Sequence, residues 1–279
     1  EVRSLELDEV MRQHEDSGIL NNATHIRYLS SKNALNQFKF NLNFKDIQRL
    51  TDGYDIQDAI FNAYNEGIEN TVFIVRSNKR ANLYNQQIRN GILGYENEIT
   101  SGDMIMVVKN NYFWLKDAPK VGFIANGDIC EVLEIFNFKE LYGFHFAEVK
   151  LRLVDYEEQA PFETVLLLDT LHSEAPSLSY EESNRLYQAV SEDYAEERSK
   201  YKRLLAVKNN KYFNALQVKF SYALTCHKTQ GGQWDHVFIE QPYLPEGEDI
   251  SYLRWLYTAV TRAQRSLFLI GFKNDYFEE

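Results

Sequence analysis

Ser221-Tyr222-Ala223-Leu224-Thr225 runs directly into Cys226-His227-Lys228-Thr229-Gln230-Gly231-Gly232-Gln233-Trp234-Asp235, and His236-Val237-Phe238-Ile239 follows at once. The two apolar runs read as strands, and the loop between them is dense in hydrogen-bond donors. Ser251 to Ala263 then reads as an amphipathic helix, and Ser266-Leu267-Phe268-Leu269-Ile270 as a final buried strand. Strand, loop, strand, helix, strand is the alternation of an α/β layer with a parallel sheet. Within the loop, two consecutive glycines let backbone N–H groups approach a ligand closely. Thr225, His227, Lys228 and Gln230 suit phosphate oxygens or sugars; a polar loop closing on a tight turn is the plainer alternative.

Further upstream the same character holds. Residues 5–30 read as helices, with Asp16 or Ser17 as N-cap, and Tyr54 to Tyr64 as another. Thr71-Val72-Phe73-Ile74-Val75 is short, β-branched and apolar throughout, which suits a strand buried on both faces. Ala81 to Ile88 is helical in pattern. After Gly102-Asp103 the pattern changes to short apolar and aromatic runs: Met104–Val108, Val121–Ile124, Ile129–Leu133, Phe144–Val149 and Thr164–Leu168. Asn110-Asn111, Asn126-Gly127 and Tyr142-Gly143 punctuate them, as in a small antiparallel barrel. Residues 178–206 are charged and helical. The economical organisation is one α/β domain, 1–109 with 216–279, interrupted by a β module with an acidic helical flank at 110–215.

The chain has 279 residues, 44% hydrophobic and 25% charged, so disordered and collagen-like classes are excluded. No apolar run approaches the roughly 20 residues that span a bilayer, and no membrane partner is expected. Two cysteines make neither a disulfide framework nor a four-thiolate zinc site, and a reducing, cytoplasmic setting follows as the default. The net charge is −11, but residues 151–200 hold twelve acidic and four basic residues. The remainder is nearly balanced, so a local basic face for a polyphosphate is not excluded. The acidic flank would repel DNA and is expected to face solvent or a protein.

There is no Gly-x-x-x-x-Gly-Lys-Ser/Thr and no Gly-Lys pair, so the phosphate loop of a P-loop NTPase is missing from this chain. No clustered carboxylate motif supports a nuclease. Cys226 and His227 are neighbours on a strand-to-loop junction and point apart, which favours a small buried thiol over a catalytic pair. Leu256-Tyr257-Thr258-Ala259-Val260-Thr261-Arg262-Ala263 ends the last helix. An arginine there either neutralises developing phosphoryl charge or caps helix carbonyls.

Together, His227-Lys228-Thr229-Gln230-Gly231 and Tyr257-Thr258-Ala259-Val260-Thr261-Arg262-Ala263 resemble motifs V and VI of superfamily 1 DNA helicases, in the RecD-like branch. Glu9-Val10-Met11-Arg12-Gln13 resembles motif IV. Val75–Arg80, through Asn85 and Arg89, resembles the segment that helps hold single-stranded DNA. Gly102–Met106 with Asn126-Gly127-Asp128 resembles the entry to an inserted SH3-like barrel.

The resemblance implies a RecA-like second motor domain of the P-loop NTPase fold. It implies Arg262 and Arg12 as catalytic arginines at the ATP γ-phosphate, and Gln13, Gln230, Gly231, Gly232 and Gln233 as nucleotide-binding residues. Thr225, His227, Lys228, Ser77 and Asn78 would contact single-stranded DNA. ATP and Mg²⁺ would be cofactors of the full-length protein, with none held by this chain alone. The partners implied are single-stranded DNA, the missing N-terminal motor domain, and a protein at the barrel; the biology implied is DNA repair and recombination. Gly232-Gln233 departs from the Ser-Glu that often follows the Gln-Gly pair in the wider superfamily. The alternative is a non-catalytic RecA-like module that docks a protein through the barrel.

Overall fold

A computed structural model describes residues 16–34, 38–118 and 121–278. In chain order the elements are α1 (Gly18–Lys32), β1 (Ile47–Leu50), α2 (Gly53–Glu66), β2 (Thr71–Val75), α3 (Asn78–Gln87), β3 (Met104–Val107), β4 (Ile129–Leu141), β5 (Phe144–Leu153), β6 (Phe162–Leu167), α4 (Tyr180–Glu192), α5 (Lys200–Lys208), β7 (Leu216–Phe220), β8 (Ala223–Thr225), β9 (Trp234–Glu240), α6 (Ile250–Val260) and β10 (Ala263–Ile270). They fall into two compact units, Glu1–Arg76 with Thr225–Glu279, and Ser77–Leu224.

The first unit is built on a five-stranded sheet in the order β1-β10-β9-β2-β8. β1 with β10, β10 with β9, and β9 with β2 are all parallel. Parallel strands covered on both faces must be apolar throughout, and every residue of β2 is buried. The register sets Phe73 beside Phe238 and Phe238 beside Phe268. Their rings stack at 4.8 and 4.5 Å, within the range of favourable aromatic pairs.

At the start of α1, Ser17 accepts from the Leu20 amide at 3.2 Å, as its N-cap position demands. Asp46 receives the Ser17 hydroxyl at 2.6 Å and the Gly18 amide at 2.9 Å, setting a carboxylate on the positive helix end. Residues 5–15 of the expected helical stretch lie outside the described residues.

The second unit holds a closed barrel, β3-β4-β5-β6-β7. All pairings are antiparallel except β6 with β7. Between β4 and β5, Tyr142 (φ 58°) and Gly143 (φ 71°) form the two-residue loop with both φ positive that matches strand twist. β3 and β7 lie outside the 110–215 expected for the module, so the barrel draws on flanking sequence on both sides. The acidic flank lays its apolar stripe on the barrel: Leu186 and Val190 of α4 and Val207 of α5 join Phe144, Phe146, Val165 and Leu167 in one core. Ser179 and Glu182 start α4 with a reciprocal capping box.

Several local expectations are corrected. Val121–Ile124 is no strand; Ile124 makes only an isolated bridge to Asn111. β4 continues to Leu141 rather than ending at Leu133, because cross-strand pairing with β5 supports residues whose own pattern is half polar. The run 221–225 bends at Ser221-Tyr222, leaving β8 with three residues. α6 stops at Val260, and Ala263 already belongs to β10. Among the described residues no helix is long and apolar enough to cross a membrane.

Asn85 and Arg89 were expected near single-stranded DNA. Both are buried. Asn85 accepts from the Ala223 amide at 2.7 Å and donates to Ala223 O at 3.0 Å. Arg89 grips Asp103 through Nε and a terminal nitrogen, each at 2.8 Å, and lies 4.1 Å over the Phe220 ring. Tyr222 donates to the same carboxylate at 2.8 Å, and the Thr100 amide at 2.7 Å. Burial raises the Tyr222 phenol well above its ordinary value, keeping it a donor. These side chains are inward fasteners of the second unit.

Candidate functional site

Trp234 opens β9 and Ala263 opens β10, and the two residues are paired in register. Gln233 and Arg262, one residue earlier on each chain segment, therefore meet at the amino edge of the sheet. The half-buried Arg262 uses every nitrogen of its guanidinium. Nε donates to Thr258 O at 3.0 Å, one terminal nitrogen to Gly232 O at 3.0 Å and Thr229 O at 3.4 Å, and the other to Thr261 Oγ1 at 3.2 Å. The main chain closes the same junction, since Trp234 N donates to Arg262 O at 3.0 Å. Gln264 Nε2 donates to Gln233 Oε1 at 2.6 Å. One arginine thus joins the glycine loop to the end of α6.

The two glycines have different physical reasons. Gly231 sits at φ 91°, a conformation that L side chains rarely adopt, with open space where a Cβ would be. Gly232 is needed for room: a Cβ there would stand 2.4 Å from the Trp234 indole. Its amide donates to Thr229 O at 3.1 Å, closing the turn.

Of the loop's polar residues, His227 and Gln230 are exposed, Lys228 is half-buried, and Thr225 is buried. Burial lowers the Lys228 pKa, and no carboxylate faces its ammonium among the described residues. Thr229 is buried, its hydroxyl donating to Cys226 O at 2.8 Å. Burial pushes the Cys226 thiol up to about 12, against the opposing pull of Arg262. A thiol so raised is no nucleophile near neutrality, which agrees with the plain structural reading of that cysteine.

Gln230, Gly231, Gly232, Gln233 and Arg262 are brought together, with Thr225, His227 and Lys228 on the same segment. Arg12 and Gln13 lie outside the described residues. Ser77 and Asn78 belong to the second unit. There Ser77 accepts from Arg80 N at 3.2 Å as the N-cap of α3, and Asn78 donates to Glu174 O at 3.0 Å. The sequence reading missed Thr258 and Thr261, which orient Arg262. Thr258 acts through its backbone carbonyl and Thr261 immediately precedes Arg262, so no side-chain periodicity signalled either. It also missed Gln264, the partner of Gln233. Among the described residues no group of three or more His, Cys, Asp or Glu side chains could hold a metal ion.

The parallel sheet, the glycine loop and the arginine that fastens it define a class of α/β domain with a polar loop on its amino edge. Residues 220–270, which contain this whole cluster, match the UvrD-like helicase C-terminal domain family. No curated protein matches the chain. Solved structures similar to it include Pif1 helicase from Bacteroides in complex with ADP-AlF3 and ssDNA, at 12% identity and TM-score 0.46, covering 99% of this chain and 53% of that one. Pif1 helicases in a structure of forked dsDNA unwinding show 14% identity and TM-score 0.44, over 97% of this chain and 51% of that one. Pif1 helicase from Candida albicans shows 12% identity and TM-score 0.37, over 97% and 57%. The chain spans about half the length of these structures.

Proposed function

We propose that this chain is the C-terminal motor half of an ATP-dependent DNA helicase of superfamily 1, in the RecD-like branch, with a RecA-like sheet and an SH3-like barrel. The observation that carries the proposal is the join between Arg262 and the loop 229–232, inside the segment that matches the helicase family. Open parallel sheets bind their own ligands at the carboxyl ends of the strands. Arg262 and Gln233 stand at the opposite edge, from which side chains can serve a nucleotide held by another domain.

The loop fits such a ligand: Gln230 is exposed, Gly231 leaves open space, and the Lys228 ammonium faces no carboxylate. ATP, when bound, supplies the phosphoanhydride whose cleavage drives the motor. Gln230, Gln233 and the Gly231-Gly232 backbone orient the nucleotide, while His227 and Lys228 meet phosphodiester oxygens of a single strand irrespective of its sequence. Arg262 exchanges carbonyl partners for phosphoryl oxygens, so that its charge acts as negative charge develops. Arg12, Gln13, Thr225, Ser77 and Asn78 retain the roles given by resemblance. Mg²⁺ belongs to the other half of the full-length protein.

The test is Arg262→Ala in the full-length enzyme, with turnover, nucleotide affinity and melting temperature measured side by side. Turnover should fall by roughly 10³–10⁵ with nucleotide affinity nearly retained, and Lys should rescue poorly because it lacks the planar fork. One observation favours a second reading: every Arg262 nitrogen is already bonded to protein. If Arg262→Ala lowers the melting temperature and leaves turnover intact, Arg262 is a staple alone. The non-catalytic module docking a protein through its barrel then becomes the better account.

A further inference from the structure

The second unit contains a cleft of about 590 Å³, lined by none of the candidate-site residues, between the segment after β3 and the helical flank. This is the size of small-ligand sites, about 300–1,000 Å³. Three lysines line it, Lys109, Lys116 and Lys208, together with the rings of Tyr112, Phe113 and Phe213. All three lysines are exposed, and no carboxylate pairs with any of them among the described residues. In a chain of net charge −11, with an acidic excess in the neighbouring sequence, three unneutralised ammoniums on one cleft are a local reversal of sign.

The walls are fixed before any ligand arrives. Asn111 accepts from Phe113 N at 3.0 Å and Trp114 N at 3.3 Å, and donates to Asn214 O at 2.9 Å. Trp114 donates to the same carbonyl at 2.8 Å. Gln217 accepts from Leu178 N at 2.9 Å, tying the helical flank to β7. Tyr112 is 65% exposed and braced by the Phe123 ring at 5.1 Å, which presents a flat aromatic surface at little further entropic cost.

Lysine ammoniums are point charges suited to phosphate, and aromatic rings suited to any base face. We infer that this cleft is a second binding site, for a nucleoside phosphate unit, either as a free nucleotide or as part of a single strand. An acidic peptide would answer the lysines but leave the aromatic wall without a flat partner. The inference stands on the second unit alone and does not depend on the helicase reading.

Lysine footprinting of the whole chain tests it. Acetylation at each lysine is read by mass spectrometry alone, with ATP, with an eight-residue oligo-dT, and with a glutamate-rich peptide. Joint protection of Lys109, Lys116 and Lys208 by ATP identifies a free-nucleotide site; protection by oligo-dT only identifies a strand site; either supports the inference. Protection by the peptide alone, or by none of the three, overturns it, and so does protection confined to Lys228. For a strand, the triple variant Lys109→Gln, Lys116→Gln, Lys208→Gln should take about 2 off the log–log salt dependence of oligo-dT affinity, at about 0.7 per phosphate contact. An unchanged slope in a folded variant would also overturn the strand form.

Discussion

Replacing Asp103 by Ala should be the most damaging single change in the second unit that touches none of the proposed binding residues. The carboxylate is fully buried and takes four hydrogen bonds, two from Arg89 and one each from Tyr222 and the Thr100 amide. Its removal leaves the Arg89 guanidinium, only 4% exposed, to the Asn97 carbonyl at 2.9 Å and the Phe220 ring. Breaking a buried ion pair on one side costs about 3–5 kcal/mol. The stranded Tyr222 hydroxyl and Thr100 amide add about 1–3 kcal/mol, less than their separate values because the site relaxes together. A total near 5 kcal/mol corresponds to a fall of roughly 10–20 °C in melting temperature for a domain of this size. Thermal melts of Asp103→Ala, Arg89→Met and the combined Asp103→Leu, Arg89→Met variant form the assay. The double variant should be more stable than Asp103→Ala, since neither charge is left without its partner. If both single variants melt within 2 °C of the parent, or the double is no better than the sum of the singles, the fastening role assigned to this pair is wrong.

Three further outcomes are expected. The Glu148 carboxyl is held down to about 2, first by Lys211 and then by Tyr212 and Lys139, against an ordinary value of 4.5. Its stabilisation is therefore complete above about pH 4.5 and is lost as pH falls toward 2; acid unfolding curves of Glu148→Gln should lack that part of the slope. Gly231→Ala should cost about 1 kcal/mol through backbone strain alone, whereas Gly232→Ala carries no such strain but must displace the Trp234 indole and shift its fluorescence; identical spectra for the two variants would contradict this division. The chain by itself should show no DNA-stimulated ATP turnover above background, because its sequence contains no phosphate loop; turnover that survives exclusion of contaminants would refute that expectation.

The apolar runs were legible because burial on two faces forces their composition. Thr71–Val75, His236–Ile239 and Ser266–Ile270 all fall within strands of one parallel sheet. The Tyr142-Gly143 turn was legible for a local reason too, since few residue pairs accept two positive φ angles. What escaped was decided at a distance. The outer half of β4 is polar and aromatic, and it is a strand because β5 folds back beside it. Val121–Ile124 has strand composition but gains only one bridge. In the candidate site, the glycine pair and Arg262 were readable as a motif. That Arg262 spends its donors on Thr229, Gly232, Thr258 and Thr261 was not, because the pairing of β9 with β10 brings the loop carbonyls to it from some thirty residues away. Asn85 and Arg89 looked like surface polar residues because nothing local reveals the buried groups they satisfy.

The closure of β3 on β7 bears on how such a chain folds. β2 ends at Val75 and β8, in the same sheet, begins at Ala223, so the sheet must join segments separated by about 150 residues. Pairing of Ile105 with Phe220 pins the two ends of that excursion together. Once the barrel is shut, the loop still to be closed shortens to about 30 residues, which lowers the entropic cost of closing it by about 1.4 kcal/mol. The barrel then behaves as a clasp in the kinetics: its formation should precede and accelerate assembly of the sheet, and weakening the β3–β7 seam should slow sheet formation more than it hastens unfolding.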